Sequence, residues 1–395
     1  MDLPPVKTLI TPGPAEVYPE ILALLNRPQL IHYGKAWGDF HRETCRSLSP
    51  LFGTTQEPIL HYGPGSMCME VGMANTLNEG DHVINIITGY FGHRWEDMLK
   101  QRKLIPHSIT AVAGQTIPPE AVEKAFREHK EAKAIVACQV DTSTGVLSPI
   151  QQYAEIARKY GAFFILDAIS AFGGVPLEMD KWGLDYCVGY PSKCLSSISG
   201  VTPVAISKRV WEVVETEEHK AGWYLDLKTY KWYFHDWGSW GHPYPTTIPI
   251  QAVIAIREAV NIIQREGLQI CHLRHQRSGK AVRAAVRAMG MKCLANEEVA
   301  SPTVTPIIVG DDLEKRVQAI MAEKHNIHVG VSLVSPVTIR FGHMGRSAYP
   351  DLILGTISAL ESVLAELGRP IKWAAGLAAA QEHLGPTTRP ILVTH

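Results

Sequence analysis

Neither sign of charge is in excess: 38 basic and 39 acidic side chains leave a net charge of -1 over 395 residues. That balance argues against a dedicated nucleic-acid binder and against an acidic-tail protein. No apolar run approaches the roughly 18 residues that a membrane helix needs. The longest runs, such as 163–166 and 134–137, are strand-sized. The seven cysteines are odd in number and lack a Cys-x-x-Cys pair, and most of them sit inside apolar runs. Neither disulfides nor a metal site is therefore expected. The amino terminus lacks the basic and apolar stretches of a secretory signal, and Val393-Thr394-His395 is not a peroxisomal address, so the expected compartment is the cytoplasm. Also missing are the Gly-x-Gly-x-x-Gly spacing of a dinucleotide fold and any Gly-Lys-Ser/Thr loop, and neither a nicotinamide nor an NTPase reading gains support.

What is present is a regular alternation. Apolar runs at 82–87, 134–140, 163–166, 186–189 and 201–207 read as strands buried on both faces of a mostly parallel sheet. Between them, 118–129 and 149–160 carry apolar residues at helical spacing, each with a proline near its first turn. The signature is α/β. From about residue 251 the pattern changes to long amphipathic helices (252–266, 273–289), short strands (303–309, 338–341) and a last helix (349–367). The expected organisation is an N-terminal segment (1–20), a large domain (21–260), a smaller α+β domain (261–375) and a loosely ordered tail (376–395).

In an open parallel sheet, ligands sit at the carboxyl ends of the strands, so the residues that stop each run are the informative ones. The run 163–166 stops at Asp167, a carboxylate that needs a cation or hydrogen-bond donors there. A helix cap or an arginine partner would also explain it. Lys193 follows 26 residues later, in a turn after the next strand. A lone lysine is usually a solvated surface residue. Together, however, the two match what pyridoxal-phosphate chemistry requires: an amine to hold the aldehyde as a Schiff base, and a carboxylate to keep the pyridine nitrogen protonated. The turn His61-Tyr62-Gly63-Pro64-Gly65-Ser66-Met67 before a helix suits an anion, although such a turn is often only a turn. Beyond another strand, Tyr90-Phe91 offers rings for stacking or for covering the sheet end, and residues 141–145 supply hydroxyls.

As a set, these residues resemble the class V aminotransferases of fold type I, most closely the alanine–glyoxylate and serine–pyruvate aminotransferase group. The resemblance runs through Thr11-Pro12-Gly13-Pro14, residues 63–70, 141–145 and 166–170, and Pro191-Ser192-Lys193-Cys194. It ends with Tyr244-Pro245-Thr246-Thr247-Ile248-Pro249 and Ile339-Arg340-Phe341-Gly342-His343-Met344-Gly345. It implies a seven-stranded, mostly parallel sheet between helices, with a smaller C-terminal domain.

The cofactor implied is pyridoxal 5'-phosphate. Lys193 would hold its aldehyde, Asp167 would pair with the ring nitrogen, and Phe91 would stack on the ring. Thr142 would bond or flank the phenolic oxygen, with Ile169 also in contact. Gly65, Ser66 and Met67 would meet the phosphate, and Ser192 would add its hydroxyl. Tyr244 and Thr247 would reach the phosphate of a neighbouring subunit, which implies a homodimer with shared active sites, or a dimer of such dimers. Arg340 would clamp the substrate carboxylate, and Tyr33 and Gly34 would approach the substrate. The implied activity is ping-pong transfer of an amino group from alanine, serine or aspartate to glyoxylate or pyruvate.

Pro64 stands where the family commonly has serine or threonine. The chain is also similar to pyridoxamine–pyruvate aminotransferase, which uses the vitamin without its phosphate, but Tyr244 keeps a phosphate-facing hydroxyl that such an enzyme has little reason to retain. A 2-aminophosphonate transaminase is a further alternative. A cysteine desulfurase is disfavoured because residues 318–339 contain no cysteine. A non-catalytic binding module would have no need of Lys193, Asp167 and Arg340 together. The aromatic segment 223–240 reads as a dimer contact or a loop over the substrate.

Overall fold

Seven strands form the central sheet of this computed structural model, which describes residues 5–218, 221–237, 241–310 and 312–385. Their spatial order is Ile59–His61, Thr202–Ile206, Tyr186–Val188, Phe163–Asp167, Ala132–Cys138, His82–Ile87 and Ile105–Thr110. Thr202–Ile206 runs antiparallel to both of its neighbours, and the other contacts are parallel. The central strands are apolar on both faces because helices cover both sides: Ile135, Val136, Ile165 and Leu166 are fully buried. Ile105–Thr110 is one of the two edge strands, and none of its residues is fully buried. Its Pro-His-Ser interior makes no apolar run, which is why the sequence pattern passes over it.

Helices Pro119–Glu128 and Ile150–Lys159 pack beside the sheet where their apolar spacing predicts. Each begins at or next to a proline, whose missing N–H costs nothing in the first turn. The large apolar core continues through the helix Ile250–Glu266 as far as Cys271. A second core gathers residues from Ala281 to Leu384. The changeover thus falls inside the helix Leu268–Ala288, later than the boundary expected near 260. The second core lies against an antiparallel sheet of Lys292–Cys293, Val304–Ile308 and Thr338–Gly342.

Two features are not visible in the sequence pattern. The amino-terminal strand Thr8–Ile10 pairs in parallel with Ile327–Val329, and Ile10 is buried in the second core. The tail expected from 376 contains the helix Ala375–Leu384, held by the buried Ala380 and Leu384. Burying one leucine is worth about 2 kcal/mol, enough to keep a short alanine-rich helix seated. Residues 386–395 lie outside the described residues. In the aromatic segment Tyr230 and Phe234 are buried whereas Trp223 and Trp232 are exposed, and Trp240 lies outside the described residues. No helix among the described residues is long and apolar enough to cross a membrane.

Candidate active site

Asp167 ends the strand Phe163–Asp167 and is 5% exposed. Its Oδ1 accepts the Ile169 N–H at 2.8 Å, and its Oδ2 accepts the Cys138 thiol at 3.5 Å. Burial pushes its carboxyl up to about 6, with the nearby Asp141 adding to the rise and Lys193 opposing it. Among the described residues this carboxylate has donors but no ion-pair partner of the kind a buried charge needs.

The next parallel strand, Tyr186–Val188, leads into the turn that carries Lys193. The Lys193 amine donates to the Pro12 carbonyl at 2.5 Å. Burial, with the nearby Arg340 guanidinium, brings it down to about 8. The amino-terminal segment is stitched along this turn: the Ala15 N–H donates to the Ser192 carbonyl (2.9 Å) and the Tyr18 N–H to the Ser196 carbonyl (3.1 Å). Gly13 has φ +129°, and any Cβ there would overlap the Lys193 amine. The Gly in Thr11-Pro12-Gly13-Pro14 is thus required both by its dihedral and by the lysine beside it.

Asp141 builds the adjoining wall. It is fully buried and accepts the N–H groups of Phe91 (3.0 Å) and Gly92 (3.2 Å), both in the first turn of the helix Tyr90–Gln101. It also accepts the Ser143 N–H (3.0 Å) and hydroxyl (2.5 Å), while the Ser143 oxygen accepts the Tyr90 N–H (2.8 Å). The helix start that presents Phe91 is therefore capped from a different strand. Arg94, one turn on, lies over the Phe91 ring (4.7 Å) and the Tyr90 ring (5.4 Å) and donates to the Ser66 hydroxyl at 3.1 Å. Ser66 is in the first turn of the helix Gly65–Ala74, which follows Pro64 and has no side-chain cap. The Met67 N–H turns back to the Pro64 carbonyl (3.0 Å). Ile169 and the Tyr190 ring close over Gly65, so that a Cβ there would run into Ile169 at 2.5 Å.

Arg340 comes from the second core, on the strand Thr338–Gly342. Its Nη1 donates to the Thr142 carbonyl (3.0 Å) and its Nε to the Val331 carbonyl (2.6 Å). Burial lowers its pKa to about 10, opposed by Asp141 and Glu314. Thr142 itself is buried, as is Ser192, whose carbonyl is used by Ala15.

The structure thus gathers Lys193, Asp167, Thr142, Phe91, Ser66, Gly65, Ile169 and Arg340 into one connected group. Four of the residues proposed from the sequence stand in a separate group. Tyr33 is exposed, and Gly34 opens the helix Lys35–Ser47 in close backbone contact with Gly241. The Tyr244 hydroxyl donates to the His32 carbonyl of its own chain, and its ring packs on His41, Tyr62 and His242. Thr247, nearby, is exposed. The sequence reading missed Arg94 and the capping role of Asp141. Arg94 was legible as the i+3 and i+4 neighbour of Phe91 and Tyr90 on one helix, whereas the Asp141 contacts depend on tertiary pairing.

This donor set suits a flat, cationic heterocycle with an anionic tail. A buried carboxylate awaits a positive charge, a desolvated amine stands beside it, and a partly exposed aromatic flanks them. The open first turn of a helix, with a guanidinium at its side, suits the anion.

Comparison with known proteins agrees with that chemistry. The family model described as Aminotransferase class-V matches residues 43–341. An uncharacterized aminotransferase of Methanocaldococcus jannaschii is 32% identical over 381 residues, covering 96% of this chain and 97% of that one. Among solved structures, ureidoglycine–glyoxylate aminotransferase of Bacillus subtilis superposes with a TM-score of 0.90 at 26% identity, covering 96% of this chain and 98% of that one. An alanine–glyoxylate aminotransferase of Nostoc sp. superposes at 0.86 with 30% identity, covering 92% and 96%.

Proposed function

Because the chain belongs to the class V aminotransferases, a family of pyridoxal-phosphate-dependent transaminases, we propose that it moves the amino group of a small amino acid to glyoxylate or pyruvate in a ping-pong cycle. The donors that fit are alanine, serine or aspartate. The observation that carries this reading is the convergence of Lys193, Asp167 and one carboxylate clamp, Arg340, each shifted by the others' charge or by burial. Glyoxylate is favoured as acceptor because it is named for both structural relatives, whose donors differ.

When bound, pyridoxal 5'-phosphate supplies an aldehyde for the amino group and an electron-withdrawing ring. Asp167 would hold a proton and positive charge at the ring nitrogen. The amides of Gly65, Ser66 and Met67, the Ser192 hydroxyl and the Arg94 guanidinium would hold the phosphate. Phe91, Thr142 and Ile169 would fix the ring plane. The Arg340 fork orients the substrate carboxylate, a task for which planar guanidinium is suited and lysine is not. With its pKa lowered to about 8, the Lys193 amine is neutral in a useful fraction of molecules near neutral pH, and its Nζ takes the proton from the substrate Cα. In the second half of the cycle the same atom returns a proton to the incoming keto acid's Cα.

Thr247, exposed in the single chain, and Tyr244, once its hydroxyl leaves the His32 carbonyl, would complete the phosphate site of a second copy of the chain, making the homodimer the active unit. The half-exposed Trp223 and Trp232 suit such a contact. In the same reading the larger core carries the cofactor groups, the second core supplies Arg340, and the exposed residues of the amino-terminal segment, such as Val6, would meet the second subunit. One observation favours use of the unphosphorylated vitamin: Pro64 leaves the helix at Gly65 without a capping side chain. Arg94 at Ser66 supplies a cation in compensation, and on that ground the phosphate form is preferred.

The test is an absorbance spectrum of the protein with pyridoxal phosphate and, separately, pyridoxal, before and after a panel of donors that includes 2-aminoethylphosphonate. A visible band with the phosphate form that bleaches with alanine, serine or aspartate, and that is absent in Lys193→Ala, supports the proposal. A band with pyridoxal alone, or bleaching by the phosphonate alone, replaces it with the corresponding alternative. Near-normal turnover by Lys193→Ala would sink it.

A further inference from the structure

At the opposite edge of the central sheet, three lone-pair donors converge on one point. His82 opens the strand His82–Ile87 and pairs with Ile105 on one side and Ala132 on the other. His107 is two residues beyond Ile105, so its side chain emerges on the same face as His82. Glu131 directly precedes Ala132. His82 Nδ1 is 2.9 Å from both His107 Nε2 and Glu131 Oε1, and the last two atoms are 4.0 Å apart.

Protons alone satisfy this group poorly. If His107 Nε2 donates to His82 Nδ1, the lone pair of that nitrogen lies 2.9 Å from a carboxylate oxygen. If His82 Nδ1 carries the proton, it must be shared between two acceptors. A cation at the centre would satisfy all three. A tetrahedral zinc with bonds of about 2.0–2.1 Å has neighbouring ligand atoms about 3.4 Å apart, between the separations found here. His129 adds a lid: its ring lies flat on His107, with centroids 3.5 Å apart and planes 14° apart. An ion in the plane of one of two stacked rings is out of plane for the other, so with His107 as a ligand His129 covers the site, its own Nδ1 lying 3.7 Å from Glu131 Oε1.

We infer that His82 Nδ1, His107 Nε2 and Glu131 Oε1 form a site for one divalent transition ion of the zinc type. Two imidazoles and one carboxylate select such ions over calcium or magnesium, and three protein ligands leave a position for water. Glu131 is exposed and both histidines are only part-buried, so an ion reaches the site without opening the fold. The site lies toward the amino ends of the strands His82–Ile87 and Ala132–Cys138, and Cys138 at the far end of the latter pairs with Asp167 on the adjacent strand, roughly 17 Å away at about 3.3 Å per residue. Its occupation should clip three strands together and leave the transamination chemistry alone. Linear sequence hides it, because its ligands are brought together by parallel register.

The experiment is calorimetric titration of zinc into the holoenzyme, with the cobalt(II) absorption spectrum as a reporter of coordination, for the wild type, Glu131→Gln and His82→Ala. The expected result is one site per chain in the wild type and a thermal midpoint that rises with zinc. Affinity should fall by more than about 100-fold in both variants, since loss of a supporting residue alone commonly costs 10–100-fold. Turnover without zinc should be unchanged in all three. No binding by the wild type beyond that of free imidazole would overturn the assignment, as would a site that persists in both variants. Glu131 is on the surface, so Glu131→Gln tests the idea even if His82→Ala fails to fold.

Discussion

Replacing Asp167 by asparagine should make the cofactor-free protein more stable at neutral pH while disabling it. The ordinary aspartate value is 3.8, and burial lifts Asp167 to about 6. Keeping that carboxylate ionised in the fold therefore costs about 3 kcal/mol above pH 6. The sign follows from the raised value: between pH 4 and 6 the folded form holds the proton and the unfolded chain releases it, so wild-type stability falls as pH rises through this window. Asparagine is isosteric, and its oxygen can still accept the Ile169 N–H. The unfolding free energies of the two cofactor-free proteins in urea should nearly coincide at pH 4 and diverge by about 3 kcal/mol in favour of Asp167→Asn by pH 7. Saturation with pyridoxal phosphate should reverse the order, because only the wild type gains a charge pair with the ring. A difference that is flat with pH, or a less stable Asp167→Asn at pH 7, would refute the reasoning.

Other substitutions probe the remaining walls. Capture of pyridoxal phosphate by the cofactor-free protein should quicken about tenfold per pH unit up to about 8 and then level off, as the Lys193 amine loses its proton; a rate that ignores pH would remove the lowered amine. Arg340→Lys should raise KM for the amino donor about 10- to 100-fold with a smaller effect on kcat, the loss of one charged hydrogen bond in a planar fork. Steady-state kinetics with alanine would show it, and an unchanged KM would place the carboxylate elsewhere. Asp141→Ala should lower stability by about 1–2 kcal/mol through the uncapped helix Tyr90–Gln101. It should also weaken cofactor affinity, and equilibrium denaturation beside a cofactor titration separates the two effects. Gly13→Ala should displace the Lys193 side chain and slow formation of the visible cofactor band, while the far-ultraviolet spectrum stays native; a normal band would show that the turn yields instead.

The sheet was legible where the chain is buried on both faces. Runs such as Phe163–Asp167 are apolar without interruption, and the polar residue that ends each one marks the end where chemistry sits. Lys193 and Asp167 were readable because each is a charge at the end of an apolar strand or in the turn beyond it, whereas Arg340, in the middle of the strand Thr338–Gly342, was named only through the family resemblance. The edge strand Ile105–Thr110 was not, since half its residues face solvent and the apolar run dissolves. Asp141 looked like a turn former because its four donors come from its own turn and from a helix some fifty residues earlier. The helix Ala375–Leu384 escaped notice for a related reason: its runs of small residues carry little amphipathic signal, and its stability comes from what it packs against.

The path of the first residues joins two bodies mechanically. Thr8–Ile10 is a strand of the C-terminal part, Pro12 and Thr11 occupy room left by Gly330 and Gly342, and the Pro12 carbonyl holds the lysine of the other part. Such a segment acts as a tie rod. Thr11 and Pro12 pack on the glycines that flank the Arg340 strand, and the Pro12 carbonyl accepts from Lys193, so the same few residues set the spacing between the guanidinium and the amine.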